Sequence, residues 1–518
     1  MKFRIASPLM SPGLLAASVS ALSISAAVFM PAAQAADLPV VTAKLTTAPL
    51  HNYEDAPATP DGDDPAIWVN RINPRQALVI TTAKDAGLLV YSKSGTLIQA
   101  ILPPNAPLIS ATDPATPGGL NPVAHACPDS EEGETFGRFN NVDIAYGVRL
   151  GKGPRAQLAD VAVVSDRGCD RIRFYRIDPL NATQPLTDIT ATDAARVYPD
   201  RYNQPSPLQP DAHAGWETNP VDDQNTVYGL TVAETRNGHQ VFVTQRERGL
   251  IKQLNIVARA NGTLGYEPVR GFLFNTNFEL TNADGGHYAW TPCREEASED
   301  PQSEGLVFDA ANNQLLVAFE TIGLYRLPLN DKLPKLVNVG FSQLIEPVKT
   351  FGTAYTATPD DGEFECEYGS AEAPTPDAIV APGSDLHAGQ NIEADLEGLS
   401  IVSSKPGYTL LLASSQGDSS FHLYGLSRAF VKTKGVNHYG AFLIDGVEET
   451  DGVHYVPVPF SAEYPLGTLV VQNGNAPEPA DTGAINGYEY DGSTQFKYVS
   501  FADALKAVFQ PQVELPKK

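Results

Sequence analysis

Asp395-Leu396-Glu397-Gly398-Leu399 opens a strand-like run, and its core, an acidic residue followed by glycine and an aliphatic, returns along the chain. Glu304-Gly305-Leu306 and Asp451-Gly452-Val453 repeat it, and Tyr228-Gly229-Leu230 differs in its first residue. Two looser versions lie upstream, Asp64-Pro65-Ala66-Ile67 and Asn141-Val142-Asp143-Ile144, which makes six starts. Downstream of each comes a second strand that ends in a polar hairpin. These hairpins are Thr82-Ala83-Lys84, Ser165-Asp166-Arg167, Thr244-Gln245-Arg246, Phe319-Glu320-Thr321, Ser415-Gln416-Gly417 and Gln472-Asn473-Gly474. A third strand usually follows, closing on Tyr91, Tyr175, Leu254, Leu327 or Tyr424.

The rest of the chain agrees with a β reading. Short apolar runs at 78–82, 88–91, 159–164, 171–175, 241–244, 315–319, 410–413 and 469–471 are bounded by turn residues, and Gly and Pro number 42 each. Helical periodicity is scarce beyond the N-terminal segment and Phe501–Phe509. Strands without helical patterns between them mark an all-β protein. Six copies of one antiparallel unit predict a six-bladed β-propeller; a β-sandwich or a β-helix is the alternative. Irregular spacing between copies follows from Pro/Asp/Gly-rich insertions at 187–224, 275–302 and 346–390, which read as surface loops and not as separate domains.

Residues 1–35 stand apart. Lys2 and Arg4 precede an apolar run that ends in Pro31 and Ala33-Gln34-Ala35, the layout of a secretory signal peptide. Residues 36–518 are then the propeller domain. No later segment is apolar for long enough to span a membrane, so the expectation is an exported protein, periplasmic or secreted, without a membrane partner and monomeric. Four cysteines in an exported chain fit two disulfides, with Cys127–Cys169 and Cys293–Cys366 the expected pairs of three possible pairings. The formal net charge of −25 excludes nucleic-acid binding through a broad basic surface. It favours cations as partners.

In a propeller the innermost strands line a central channel, so equivalent residues form rings at its mouth. The six starts supply Asp64, Asp143 with Asn141, Tyr228, Glu304, Glu397 and Asp451, with Asp395 beside Glu397. The hairpins supply Lys84, Arg167, Arg246, Glu320, Gln416 and Asn473. The charges are sorted: blades one to three offer Lys84, Arg167 and Arg246, and blades four to six offer carboxylates. Crowded carboxylates raise each other's pKa, and a hard cation relieves them. An oxygen-only set without His or Cys suits calcium. The cationic side suits phosphate, whose oxygens match the guanidinium fork.

These segments, read as Asp63-Asp64-Pro65-Ala66-Ile67-Trp68, Asn140-Asn141-Val142-Asp143, Val227-Tyr228-Gly229, Glu304-Gly305, Asp395-Leu396-Glu397-Gly398-Leu399, Ala413-Ser414-Ser415-Gln416-Gly417-Asp418-Ser419-Ser420 and Glu463-Tyr464-Pro465-Leu466-Gly467, resemble the β-propeller phytases from about residue 50 to about residue 503. The resemblance implies a calcium-dependent phosphomonoesterase of the 3-phytase kind. Its substrate would be myo-inositol hexakisphosphate, presented as a calcium complex and attacked directly by a metal-bound water. It implies Lys84, Arg167, Arg246 and Tyr228 as substrate-binding residues. Catalysis would fall to Glu304 and Glu320 together with Tyr228, Lys84 and Arg167. Glu304, Asp395, Glu397, Gln416 and Asp451 would be metal ligands, with Asp64 and the carbonyls of Pro65 and Val142 at a structural calcium. Three positions depart from the family: Asp85 where a second Lys is common, Arg246 for Lys, and Asn473-Gly474-Asn475-Ala476 where acidic residues are common. The competing functional readings are another calcium-dependent propeller hydrolase, a lactonase or a phosphodiesterase, and a propeller that only binds partners. A lactonase needs no basic wall, and a scaffold needs no charge-sorted ring.

Overall fold

The computed structural model describes residues 38–53, 60–103, 137–199, 225–236, 238–294, 300–360, 363–369, 379–381, 386–427, 435–480, 482–484 and 488–509. Residues 1–35, the expected signal segment, and Cys127 lie outside them.

Six sheets carry the fold, and in each the inner strand is followed outward by the next two strands in chain order, all antiparallel. Their inner strands are Pro65–Val69, Phe139–Leu150, Val227–Thr235, Ser303–Asp309, Leu396–Lys405 and Val453–Val456. Each inner strand packs against the next, and the sixth packs against the first, so the ring closes into a six-bladed propeller. The second strands Ala77–Thr82, Gln314–Phe319 and Thr468–Asn473 are almost wholly buried. Both faces of such a strand are covered by neighbouring sheets, which is why they read as continuous apolar runs and not as alternating patterns.

The core is a set of layers between blades. Ile80 and Val90 meet Val142 and Val164 between blades 1 and 2, and Val163 and Phe174 meet Val241 and Val243 between blades 2 and 3. One large cluster joins blades 3, 4 and 5 through Phe242, Phe272, Leu315, Val317 and Leu411. Leu412 and Phe421 meet Leu469 and Val471 between blades 5 and 6, and Val79 and Leu89 meet Val470 and Phe496 between blades 6 and 1. Burial of this kind contributes about 25 cal/mol per Å² of apolar surface.

The ends of the chain seal the ring. Leu45–Thr46 and Leu50–Tyr53 pair antiparallel with Tyr490–Ser500, so the sixth blade takes its outer strand from the N-terminal side. Val40–Val41 adds a parallel edge to blade 5. Helix Phe501–Phe509, at the place the sequence predicts, buries Phe501 and Ala504 in the layer between blades 5 and 6.

Two of the insertions hold more structure than the loops expected of them. Phe278–Thr281 and His287–Trp290 form a hairpin, and Tyr355–Asp360, Glu363–Tyr368 and Ile379–Ala381 form a three-stranded sheet. Phe278, Trp290 and Phe351 pack together beneath them, and the Cys293–Cys366 disulfide ties one insertion to the other. Period-2 alternation in Glu363-Phe364-Glu365-Cys366-Glu367-Tyr368 is the signal that marks the added sheet. Cys169 is disulfide-bonded as well.

Candidate active site

A β-bulge sits at the start of the inner strand in four blades. Register shifts fall between Phe139 and Val142, Val227 and Leu230, Ser303 and Leu306, and Leu396 and Leu399. A bulge leaves an extra residue outside the ladder and re-aims its side chain. The residues so placed are Asn140, Tyr228, Glu304 and Glu397. The following N–H bonds to a hydroxyl on the second strand: Asn141 to Ser165, Gly229 to Thr244 and Gly398 to Ser414, at 2.8–2.9 Å. Asp64 N–H donates to Thr82 in the same way at 3.1 Å. The ring is therefore Asp63, Asn140, Tyr228, Glu304, Glu397 and Asp451. The sequence alone puts the ring residue of blade 1 at Asp64, one position late, and that of blade 2 at Asp143 with Asn141, three and one positions late, because Asp64 and Asn141 stand where glycine marks the bulge elsewhere. The hairpin ring ends on Gly474 and not on Asn473, by the same alignment of Gln472 with Thr82.

The glycines have a steric cause. A β-carbon on Gly229 would stand 1.8 Å from the carbonyl oxygen of Glu304, and one on Gly305 would stand 1.6 Å from that of Glu397. In blades 3 and 4 the bulge therefore touches the backbone of the next blade's ring residue.

Glu304, Glu320 and Glu397 are buried, and one carboxylate oxygen of each lies within 4.8 Å of the others. Oxygen-only donors at such spacing fit calcium. Glu397 Oε2 and Asp63 Oδ1 are buried with no hydrogen-bond partner among the described residues, which also fits a cation, since a buried unpaired oxygen is costly. Burial, then the charges of Asp451 and Glu304, push Glu397 well above the usual carboxylate range. Burial and Glu304 do the same to Asp63. Asp451 rises to about 7, mainly by burial, with Lys84 opposing and Glu304 adding to the rise. Gln416 Nε2 donates to Asp451 Oδ1 at 2.6 Å, and Gln416 N–H bonds to the Asp395 carbonyl at 2.8 Å. Asp395 thus lies in the turn ahead of the strand that carries Glu397, near enough to raise its pKa.

The basic side is built from hairpins of blades 1 to 3. Lys84 Nζ is 2.6 Å from Asp61 and 3.7 Å from Asp63. Burial lowers its pKa, but Asp61, Asp63 and Asp451 outweigh that and leave it raised. Arg167 is pushed down to about 9 by burial and by the neighbouring Arg138 and Arg246, so it stays cationic at neutral pH. Arg246 pairs with Glu247. Arg167 lies 5.9 Å from the Tyr228 ring centroid. Burial, then Glu304, Glu320 and Glu397, raise the Tyr228 hydroxyl far above its usual pKa, so it remains a proton donor.

Asn140 joins the two sides. Its Nδ2 donates to Glu304 Oε1 at 2.8 Å, and its Oδ1 accepts from Arg167 at 3.3 Å. Deeper in the channel, Asp64 Oδ2 accepts the Val142 N–H at 3.1 Å, and Asp143 Oδ2 accepts from Thr231 and Val232 at 2.9 and 2.7 Å. The structure therefore brings Lys84, Arg167, Arg246, Tyr228, Glu304, Glu320, Glu397, Asp451 and Gln416 to one mouth. It adds Asp61, Asp63, Asn140 and Arg138, which sequence reading had left out.

A family profile described as Phytase matches residues 11–101 and 347–509, which include blades 1, 5 and 6. A 3-phytase of Bacillus subtilis (strain 168) is 24% identical over 458 residues, covering 86% of this chain and 81% of that protein. Profile, relative and six-bladed ring together fit a β-propeller phytase. The profile leaves out blades 2 to 4, where Arg167, Arg246, Glu304 and Glu320 lie. Solved structures similar to it include a periplasmic gluconolactonase of Pseudomonas aeruginosa, PpgL, at 12% identity and a TM-score of 0.32, covering 76% of this chain and 73% of that one. Another is the WD40 domain of Toxoplasma gondii coronin, at 8% identity and 0.34, covering 90% and 88%. Likenesses that low carry no functional argument.

Proposed function

We propose that this protein is a calcium-dependent phosphomonoesterase of the 3-phytase kind, releasing phosphate from myo-inositol hexakisphosphate. The observation that carries the reading is the carboxylate trio Glu304, Glu320 and Glu397 on the same rim as Lys84, Arg167 and Arg246, with Asn140 bonded to both sides. The family-profile match and the named activity of the Bacillus relative support it.

Lys84, Arg167 and Arg246 grip phosphate oxygens as charged donors. Tyr228, kept neutral by its carboxylate neighbours, donates a hydrogen bond to an oxygen that gains charge as the ester bond breaks. Asn140 fixes Glu304 relative to Arg167, so that phosphate and carboxylate keep one separation. The trio, with Asp395, Gln416 and Asp451 around it, would hold calcium, and Asp64 with the Pro65 and Val142 carbonyls would hold a further ion. Bound there, calcium would supply Lewis-acid charge that offsets the phosphate's own and acidifies the attacking water. Glu320 and Glu304 would take the proton that water gives up.

The substrate is the small anionic ester, with no nucleic acid or membrane called for by the site. Residues 1–35 serve as the export signal and residues 36–518 act as one propeller domain, monomeric and periplasmic or secreted. Among the described residues no helix is long and apolar enough to cross a membrane. The test is phosphate release from inositol hexakisphosphate across a calcium series. Release that rises with calcium and stops with a chelator supports the reading. A folded protein that releases none at any calcium level ends it.

A further inference from the structure

Strands of a blade run alternately towards the rim and away from it. The pairings of Val69 with Ala77, Tyr91 with Leu97, Leu150 with Gln157 and Ile177 with Leu186 therefore put hairpins 70–76, 93–96, 151–156 and 178–185 at one end of blades 1 and 2, opposite Lys84 and Arg167. Acidic residues outnumber basic ones by 61 to 36 over the chain, and this end reverses the balance. Arg71, Arg75, Lys93, Arg149, Lys152 and Arg176 gather there, and the four hairpins contain one carboxylate, Asp178. Asp178 faces Arg176 at 3.5 Å, and nearby Asp160 is taken up by the Trp68 indole and the Gly147 N–H at 2.8 and 2.9 Å. Arg71 reaches Glu234 of blade 3 only at 3.9 Å and lies 4.0 Å over the Tyr146 ring, which joins the ends of blades 1 and 2. Arg75, Lys93, Arg149 and Lys152 are exposed and have no carboxylate partner among the described residues.

The same end holds the three most exposed large apolar side chains of the described residues: Ile72 at 95%, Leu180 at 88% and Leu158 at 74%. A lone exposed aliphatic residue calls for no explanation, but three on one end beside these cations do. Ile72 and Leu180 stand on hairpins fixed in the same way. The N–H of each donates to a side chain two residues back, Asn70 Oδ1 at 2.9 Å and Asp178 Oδ1 at 3.1 Å, an Asx-type turn. Leu158 lies opposite Arg149 in the ladder. A cavity of about 180 Å³ opens between the hairpins of Ile72 and Leu180, lined by Trp68, Ile98 and Pro185 with Arg75 and Lys93.

We infer that this end of blades 1 and 2 docks on an anionic lipid bilayer, with the channel mouth turned away into water. A chain of net charge −25 is repelled by a negatively charged surface except where its cations collect. At the rim the cations share their surface with the carboxylate cluster; at this end they do not. Lipid headgroups meet such cations while aliphatic tips enter the acyl boundary, and arginine and lysine stems span the two zones. The cavity offers Arg75 and Lys93 to a headgroup over an apolar floor. Ile72 and Leu180 project singly, each nearly clear of the protein, and so present no flat apolar face for a folded partner to cover. The surface lies apart from the active site, and the inference does not rest on the phosphatase reading.

The experiment measures partition of the exported protein onto vesicles of phosphatidylglycerol and phosphatidylcholine in equal parts. Co-sedimentation is run in chelator, so that calcium cannot bridge carboxylates to headgroups. Wild type is expected to bind these vesicles, to leave pure phosphatidylcholine largely unbound, and to come off as salt screens the charges. Arg75→Gln with Lys93→Gln should weaken binding about 25-fold, at about fivefold for each basic side chain near the surface. Ile72→Ser with Leu180→Ser should weaken it about tenfold or more. Both variants should keep the wild-type circular dichroism and Tm, because the four side chains lie on the surface. Wild-type protein that stays off the anionic vesicles overturns the inference, and so does equal binding to pure phosphatidylcholine. Binding undiminished in either variant overturns it as well. A wild-type dimer in light scattering at low salt, abolished by the same substitutions while vesicles stay unbound, would assign the face to a second copy of the chain and overturn the lipid reading.

Discussion

The carbonyl oxygen of Glu397 occupies the space next to Gly305 so closely that a β-carbon there would lie 1.6 Å from it. The bulge that aims Glu304 into the channel is therefore also the surface on which the backbone bearing Glu397 rests. Ligand spacing and blade packing are one constraint at this point.

Gly305→Ala tests that coupling. The clash is with backbone, which cannot swing aside as a side chain can, and overpacking of this kind costs about 1–3 kcal/mol or more. Thermal melts should show a clearly lower Tm. Calcium should also stabilise the variant less than the wild type, because Glu304 and Glu397 are pushed apart. A variant that melts lower yet keeps the full calcium-induced rise would separate packing from ligand spacing.

Glu304→Gln removes a charge and little else, since the amide oxygen can still accept from Asn140 Nδ2. Turnover of inositol hexakisphosphate should fall about 10²-fold or more, the size of effect seen when one electrostatic contributor to a transition state is lost. Circular dichroism and Tm should stay close to wild type in chelator. Near-native turnover would take Glu304 out of the chemistry.

The pH dependence of stability has a definite sign. Asp451 titrates near 3.8 in an unfolded chain and at about 7 in the fold, and Asp63 and Glu397 shift the same way. Across that window the folded state binds more protons than the unfolded state, so stability falls as pH rises through it. In chelator, Tm should decline from about pH 4 to pH 7. Saturating calcium should remove the decline, because the cation takes the place of the protons. A chelated protein whose Tm climbs over the same range would contradict the protonated-cluster picture.

Much of this was legible in the chain before any coordinates. Blades 3 to 6 announce themselves because Gly229, Gly305, Gly398 and Gly452 follow the ring residue directly, and that glycine is demanded by the neighbouring backbone. Blades 1 and 2 lack the glycine, so the sequence points to Asp64, and to Asp143 with Asn141, at positions that Asp63 and Asn140 hold. Periodicity cannot detect a bulge, which adds one residue to one strand of a pair. Arg138 and Asp61 enter the site only through long-range pairings, Phe139 with Lys84 and Lys84 with Asp61. Nothing local marks them. The closing strands at Leu45–Thr46 and Leu50–Tyr53 escaped notice for a related reason: each is short, and its partner is at the far end of the chain.

The Cys293–Cys366 disulfide, spanning 73 residues, closes the two insertions that lead into Glu304 and Glu397. In the chain-entropy picture a loop of that length is worth roughly 4 kcal/mol. Cys293→Ser paired with Cys366→Ser should lower Tm and speed proteolysis within 275–302 and 346–390, read by mass spectrometry. Turnover at low temperature should fall by less than in Glu304→Gln, since the trio is held by blades 4 and 5. Loss of turnover as deep as in Glu304→Gln would mean the insertions hold the ligands themselves.

The most direct measurement is a crystal structure of the protein soaked with calcium and inositol hexakissulfate as an uncleavable analogue. The expected result is anomalous density about 2.3–2.6 Å from carboxylate oxygens of Glu304, Glu320 and Glu397, with one sulfate also reaching Arg167 or Lys84. Density absent from the trio at saturating calcium, or an analogue seated away from this rim, would contradict the proposed site.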